Sequence, residues 1–103
     1  MLEKDFAKYV EQALTLYGWT WKHDLPGVTQ SGKWATSFRG VAGFPDYIAV
    51  RKGRVICAEI KNEKGRLTKG QKHWLQALHE SGCVEAYVWR PQDAERIIEL
   101  LRW

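Results

Sequence analysis

Two apolar segments joined by a short turn constrain the fold more than any other feature of this 103-residue chain. Residues 44–51 and 54–61 both have the composition of strands, and Lys52-Gly53 between them has the length of a hairpin turn. In 54–61 the apolar side chains fall on both faces of the predicted strand, which is typical of a central strand covered on both sides. The remainder of the chain must therefore supply the strands and helices that enclose it.

The remaining segments provide these elements. Helical spacing of apolar residues predicts three helices, over 3–17, over 69–80 and from Pro91 onward. Two more strands are predicted, over 84–89 and, from a weaker alternation, over 19–24, whereas 25–43 has the composition of a loop. The order predicts one α/β domain, residues 1–103, with a mixed sheet flanked by helices, because a hairpin is antiparallel and a helix permits a parallel crossover.

Positive charge is concentrated in the middle of the chain. Of the formal net charge of +4, residues 51–72 hold eight Lys or Arg against two Glu, while residues 1–50 are neutral overall and 73–103 are negative. Such a segment is typical either of contact with a polyanion or of a solvated hairpin and loop. The charge pattern leaves both interpretations open.

The sequence also favours one cellular compartment, a reducing cytoplasm. No apolar run approaches the roughly 20 residues that a bilayer span needs, and the first residues lack the features of a signal peptide. Two cysteines, Cys57 and Cys83, are too few for a disulfide framework and form no CxxC pair. We therefore expect a reduced, cytoplasmic protein with no membrane partner.

Two carboxylates are expected to meet at one end of the hairpin. Glu59 shares a face of the central strand with Lys61, roughly 7 Å away by strand rise. Asp46 follows Pro45 at the start of the neighbouring strand, and symmetry about the turn places it beside Glu59. Two such carboxylates repel unless one is protonated or a cation lies between them, and a divalent metal is the simplest resolution. The alternative for Glu59 and Lys61 is an ion pair at a frayed strand end.

Two helices direct polar side chains towards the same region. Glu3 lies within about 40° of the centre of the first apolar stripe, so we expect it to face the core side, whereas Glu11 lies more than about 100° away. The alternative for Glu3 is a favourable charge at a helix N-terminus. Gln71 lies in the apolar stripe of the second helix, and it fits equally a capping box with Thr68.

Other polar residues carry weaker signals. Ser37 and Arg39, in the loop before Asp46, could contact a phosphate, although an ordinary loop is the simpler interpretation. The three histidines lack the spacing of a zinc site, and the chain contains no P-loop and no GxGxxG motif.

Together these residues resemble a known nuclease signature. Pro45-Asp46, twelve intervening residues and then Glu59-Ile60-Lys61 resemble the PD-(D/E)XK motif. Gly43-Phe44-Pro45-Asp46, Gln71 on the next helix and an early helical Glu3 resemble the virus-type replication-repair nuclease (VRR-NUC) group. The resemblance covers nearly the whole chain, least well residues 19–42, and implies a restriction-endonuclease-like αβββαβ core with a central mixed sheet.

The resemblance also implies an activity. It implies a phosphodiesterase in which Asp46, Glu59 and the Ile60 carbonyl bind Mg²⁺ or Mn²⁺ and Glu3 completes the site directly or through water. Lys61 would position or activate the attacking water and offset charge on the phosphorane. Gln71 would support Lys61 or contact the DNA backbone. Separately from the resemblance, the basic segment makes Lys64, Arg66 and Lys69 candidates for phosphate contacts, with a solvated loop as the alternative.

Stand-alone members of this length look like phage proteins related to archaeal-type Holliday junction resolvases, which implies a homodimer in the host cytoplasm acting on branched DNA. Two alternatives remain: a flap, nicking or restriction-like nuclease, and a catalytically silent DNA-binding module of the same fold.

Overall fold

The computed structural model describes residues 1–25, 27–28, 34–35 and 38–103. The three helices are α1 (Glu3–Leu16), α2 (Lys69–Glu80) and α3 (Ala94–Arg102), the last preceded by a 3-10 turn at Pro91–Asp93. The strands are β1 (Thr20–His23), β2 (Gly27–Val28), β3 (Trp34–Ala35), β4 (Tyr47–Arg51), β5 (Arg54–Ile60) and β6 (Glu85–Trp89). In the described ranges, no helix has both the length and the hydropathy needed to cross a membrane.

A mixed four-stranded sheet forms the centre of the fold, in the order β1-β4-β5-β6. The β1–β4 and β4–β5 pairs are antiparallel, and β5–β6 is parallel. The α/β prediction, with β5 as a central strand, is therefore confirmed. The loop prediction for 25–43 is wrong in part, because β2 and β3 pair as a separate two-stranded sheet. Two-residue strands are too short to produce a period-2 pattern in the sequence.

The hairpin has the predicted register. Arg51 pairs with Arg54 and Tyr47 with Ala58, and both turn residues, Lys52 and Gly53, have positive φ. Two left-handed residues match the twist of the flanking strands, which makes this turn favourable for a two-residue hairpin. The strand begins at Tyr47 rather than at residue 44, because Pro45 has no N–H to donate to the ladder.

The core lies mainly between the sheet and two helices. Helices α1 and α3 cover one face, where they bury Phe6, Val10 and Leu14 from α1 and Ile97 and Leu101 from α3. The Trp19 indole donates a hydrogen bond to the Leu101 carbonyl, 2.9 Å away, and links the residue before β1 to the end of α3. Helix α2 packs on the opposite face against β5 and β6 and buries none of its residues completely.

Close backbone packing holds the segment before β4 against the start of α2. A Cβ on Gly43, whose φ is +103°, would lie 2.5 Å from the Gly70 carbonyl carbon, so neither position has room for a larger residue. The Trp74 indole donates to the Val41 carbonyl at 2.8 Å, and its ring packs edge-on against Phe44. The chain therefore enters β4, and reaches Asp46, along a fixed path.

Candidate active site

Glu59 is the only charged residue in the core among the residues described, with 3% of its surface exposed. Its Oε2 accepts a hydrogen bond from Gln71 Nε2 at 3.1 Å and lies 3.8 Å from Lys61 Nζ. Its Oε1 is buried and has no hydrogen-bond partner in the described part of the chain. Burial, reinforced by the adjacent Asp46 carboxylate, raises the pKa of Glu59 to about 8, and the Lys61 ammonium opposes this rise.

Asp46 lies beside Glu59, as the hairpin symmetry predicts. It immediately precedes β4, and its Oδ2 accepts a hydrogen bond of 2.8 Å from the backbone N–H of Ile60 on β5. The last paired residues of the ladder are Tyr47 and Ala58, so the next positions along the two strands are Asp46 and Glu59. The antiparallel register thus places two carboxylates at the edge where the ladder ends.

Lys61 lies just beyond the end of β5. Its backbone N–H donates to the Trp89 carbonyl at 3.0 Å, so pairing with β6 continues past the last strand residue. Its side chain is 15% exposed, and the ammonium lies at ion-pair distance from the more deeply buried Glu59. An ammonium held next to a buried carboxylate at a strand end can act on an anion that approaches the same edge.

Gln71 performs both of the roles considered for it. Its backbone N–H donates to Thr68 Oγ1, and its Oε1 accepts from the Thr68 N–H, which completes the capping box of α2. Its Nε2 remains available and donates to Glu59. The two roles are compatible because an amide offers its carbonyl oxygen and its nitrogen to different partners.

Glu3 is exposed, so the prediction that it faces the core side is wrong. Side chains tilt towards the N-terminus of a helix, and Glu3 is the first residue of α1, so no preceding turn covers it. It nevertheless lines an open cleft of about 670 Å³ together with Asp46 and Ile60. Its negative charge also contributes to the raised pKa of Glu59.

The sequence reasoning missed a second group of polar side chains next to Asp46. Glu11 was expected to point away from the core, but its Oε2 accepts a hydrogen bond from the Tyr47 hydroxyl. His23, on β1, lies between the two carboxylates, with Nδ1 3.7 Å from Glu11 Oε2 and Nε2 3.8 Å from Asp46 Oδ1. Burial, followed by the Glu11 hydrogen bond, raises the pKa of the Tyr47 hydroxyl. The available signal was the position of His23 on the strand that pairs with β4.

Some cations of the basic segment bind other parts of the fold, whereas others are exposed to solvent. Arg54 pairs with Glu85, with two nitrogen–oxygen distances of 2.7 and 2.8 Å, and Arg51 donates to the Tyr17 carbonyl at 2.7 Å. Both guanidinium groups also lie over the ring of Trp19, 4.8 and 5.1 Å from its centroid. These two arginines therefore hold the fold together, whereas the cations of the loop after β5 remain exposed.

Several cations line an open groove beside the loop that follows β5. The groove has a volume of about 660 Å³ and is lined by the predicted Lys64 and Arg66, by Glu63, by Lys72 at the end of the basic segment, and by Arg90, which sequence reasoning missed. Arg90 also donates to the carbonyls of Asn62 and Gly65, at 2.9 and 2.7 Å, and so holds the loop in place.

Two further sequence-predicted contacts, Lys69 and Arg39, lie outside this groove. Lys69 is exposed at the first turn of α2, and Arg39 is exposed in the segment before β4. Ser37 lies outside the described residues.

The carboxylate pair fits a cation only in part. Among the described residues, no three Asp, Glu, His or Cys side chains are arranged to hold a metal ion by themselves. The carboxylates of Glu59 and Asp46 lie side by side, and Oε1 of Glu59 is buried without a partner in the described part of the chain. Carboxylate oxygens are nevertheless the ligands that hard divalent cations prefer. Mg²⁺ usually keeps several water ligands and needs few from the protein, so two carboxylates and a backbone carbonyl suit it.

Comparison with known proteins identifies the architecture. No family model and no curated protein matches this chain. A solved structure described as a VRR_NUC domain matches it with a TM-score of 0.67 and 17% sequence identity, over 94% of each chain. At this identity the likeness shows a common fold and says nothing by itself about activity. The chain has the fold of a VRR_NUC domain, a small nuclease-like α/β architecture.

Proposed function

We propose that this chain is a metal-dependent DNA endonuclease that hydrolyses phosphodiester bonds. The observation that carries the proposal is the buried Glu59, with one oxygen unpaired among the described residues, beside Asp46 and Lys61 on a VRR_NUC fold. An ionised carboxylate in such a place is costly to the folded state unless a cation compensates it. A cost of this kind is more typical of a functional site than of a structural one.

Each residue of the site has a distinct role in this proposal. Asp46, Glu59 and the Ile60 carbonyl would hold Mg²⁺ or Mn²⁺, with Glu3 reaching the ion directly or through water. When bound, such an ion lowers the pKa of its water and neutralises the scissile phosphate. Lys61 positions the attacking water and offsets the charge that develops on the phosphorane. Gln71 orients Glu59 through the hydrogen bond between its Nε2 and Glu59 Oε2.

The cationic groove is the surface that would bind DNA. Lys64 and Arg66 lie on the loop that follows Lys61, Lys72 lies on α2, and Arg90 follows β6. Because this loop starts at Lys61, a phosphate backbone bound along it would lead towards the carboxylate pair. Lys64, Arg66 and Lys69 would contact phosphates, and so would Arg39 and Ser37. Contacts of this kind bind any sequence equally, which suits an enzyme that recognises DNA shape.

Branched DNA is the substrate that we propose, with four-way junctions first. A junction presents two symmetry-related strands, whereas one copy of this chain has one Asp46–Glu59 pair. Paired cuts therefore require a second copy related by a twofold axis, so we propose a homodimer. Two unpaired cysteines, one buried and one exposed, suit a reducing cytoplasm.

A cleavage panel tests the proposal. Four-way junctions, flaps, nicked duplexes and supercoiled plasmid are incubated with wild-type protein and Mg²⁺ or Mn²⁺. We expect preferential junction cleavage, lost in Asp46→Asn and Lys61→Met and retained in Asp24→Asn, a matched change at an exposed aspartate paired with Lys22. Cleavage that survives both site variants would refute the mechanism.

Two further outcomes separate the alternatives. Preference for flaps or nicks would replace the junction proposal with another nuclease class. Tight DNA binding without cleavage by the wild type would identify a silent DNA-binding module.

A further inference from the structure

We propose that His23, supported by Glu11, is a positioning residue that orients Asp46 for metal binding. The inference rests on the proposed function and extends it to two residues outside the Asp46–Glu59–Lys61 set. Its basis is the arrangement of one imidazole between two carboxylates, 3.7 Å from Glu11 and 3.8 Å from Asp46.

Asp46 needs such a partner because it precedes its strand. The sheet ladder begins only at Tyr47, so strand pairing does not restrain the Asp46 side chain. One of its oxygens, Oδ2, is held by the Ile60 N–H. The other, Oδ1, lies 3.8 Å from His23 Nε2, which is close but longer than a direct hydrogen bond, and the Asp46 side chain is 28% exposed. A metal ligand with one restrained oxygen could rotate, whereas a ring packed close to the second oxygen limits that rotation.

Two neighbours besides Asp46 surround His23, namely Tyr47 and Glu11. The β1–β4 register places it directly opposite Tyr47, and the two rings lie 4.3 Å apart. The Tyr47 hydroxyl donates to Glu11, whose Oε2 also lies at His23 Nδ1. The His23 side chain is only 20% exposed. Helix α1 and strands β1 and β4 therefore all contribute to the orientation of this imidazole.

The proposal predicts a specific loss when the imidazole nitrogens are removed. Partners that orient a metal ligand typically change metal affinity by roughly 10–100-fold when they are mutated. His23→Phe keeps an aromatic ring against Tyr47 and removes both nitrogens. We therefore expect Mn²⁺ binding to weaken roughly 10–100-fold and the Mn²⁺ concentration for half-maximal cleavage to rise by the same factor. At saturating metal, kcat should return to the wild-type value.

The experiment titrates Mn²⁺ by electron paramagnetic resonance into the full chain and measures junction cleavage over the same metal range. His79→Phe, the same change at an exposed histidine near the end of α2, is the matched control. Glu11→Gln should lower metal affinity in the same direction but less. Adding it to His23→Phe should cause no further loss, because Glu11 acts through His23.

Three results would overturn the inference. The first is wild-type Mn²⁺ affinity in folded His23→Phe. The second is a loss of kcat that saturating metal does not restore, which would place His23 at the substrate. The third is full additivity of the two substitutions. If instead wild-type protein binds no Mn²⁺ and cleaves no DNA, the proposed function itself fails.

A measurement without metal tests whether His23 lies between Glu11 and Asp46. It does not need the His23→Phe variant and so applies even if that variant folds poorly. Long-range ¹H–¹⁵N spectra of the full chain resolve the two nitrogens of His23. Asp46→Asn should shift Nε2 more than Nδ1, and Glu11→Gln should shift Nδ1 more than Nε2. Equal or absent shifts would overturn the arrangement from which the inference starts.

Discussion

Replacing Glu59 with glutamine tests the central physical claim, that the fold bears the cost of a buried carboxylate which Lys61 and Gln71 compensate only in part. Glu59→Gln keeps the shape of the side chain and an oxygen that accepts from Gln71, but it removes the ionisable group. We expect the variant to be more stable than the wild type at pH 8 without divalent ions. Near pH 4.5 the two proteins should be about equally stable.

The pH dependence follows from the raised pKa. The folded state releases the Glu59 proton at about pH 8, against an ordinary value of 4.5. Below pH 4.5 both states are neutral and burial carries no ionisation cost. Between these values the unfolded state ionises while the folded state resists, so stability falls as the pH rises through this window.

The size of the effect is bounded by the same shift. At about 1.4 kcal/mol per pKa unit, the full shift corresponds to a limit of about 5 kcal/mol. Local relaxation and water entry reduce the cost of a buried charge, so we expect a difference of about 2 kcal/mol at pH 8. For a domain of this size that raises Tm by about 10 °C.

Thermal unfolding of both proteins at pH 5 and pH 8, with and without Mg²⁺, provides the assay. Saturation of a native-state site at 100 times Kd stabilises the wild type by about 2.7 kcal/mol, and the variant should gain far less. Equal stability of the two proteins at pH 8, or a difference that is the same at both pH values, would refute the reasoning.

Three further predictions concern the surroundings of the site. The first changes the exposed cations Lys64, Arg66 and Lys69 to glutamine and should weaken binding to all DNA sequences alike. The slope of log K against log salt concentration should become shallower by roughly 0.9 per lost phosphate contact. An unaltered slope in a filter-binding series would show that these residues belong to a solvated loop and do not contact phosphates. Gly43→Ala should destabilise the protein by about 2 kcal/mol or more, because its Cβ would overlap Gly70 at a positive φ; an unchanged denaturant midpoint would contradict this. Thr68→Ala should cost about 1 kcal/mol through loss of the α2 cap, measured by urea unfolding. Full stability of Thr68→Ala would show that the cap contributes nothing.

Some features of the candidate site are local enough to predict. A two-residue turn and the alternation of the flanking strands determine hairpin register, because a shift of one residue would reverse every side chain. The neighbouring positions of Asp46 and Glu59 follow directly. The capping box of α2 is equally local, since Thr68 and Gln71 lie three residues apart.

Angular position on a helix proved a weaker guide. The apolar stripe of α1 predicts which side chains face the core. It does not predict which polar groups on other elements contact the side chains outside the stripe. Glu11 falls outside the stripe and is nevertheless drawn in by the Tyr47 hydroxyl, a group on another element. Glu3 falls inside the stripe and remains exposed, because it occupies the first turn.

The sequence by itself determined the α/β class, the central strand, the hairpin register and the meeting of two carboxylates beside a lysine, since each depends on residues close along the chain or symmetric about one turn. Tertiary structure alone decided that Glu59 keeps a buried oxygen unpaired among the described residues and that His23 lies between Glu11 and Asp46. It also decided that Arg51 and Arg54 form hydrogen bonds within the fold. The physical reason is that burial and pairing depend on several elements packed at once, and no single segment carries that information.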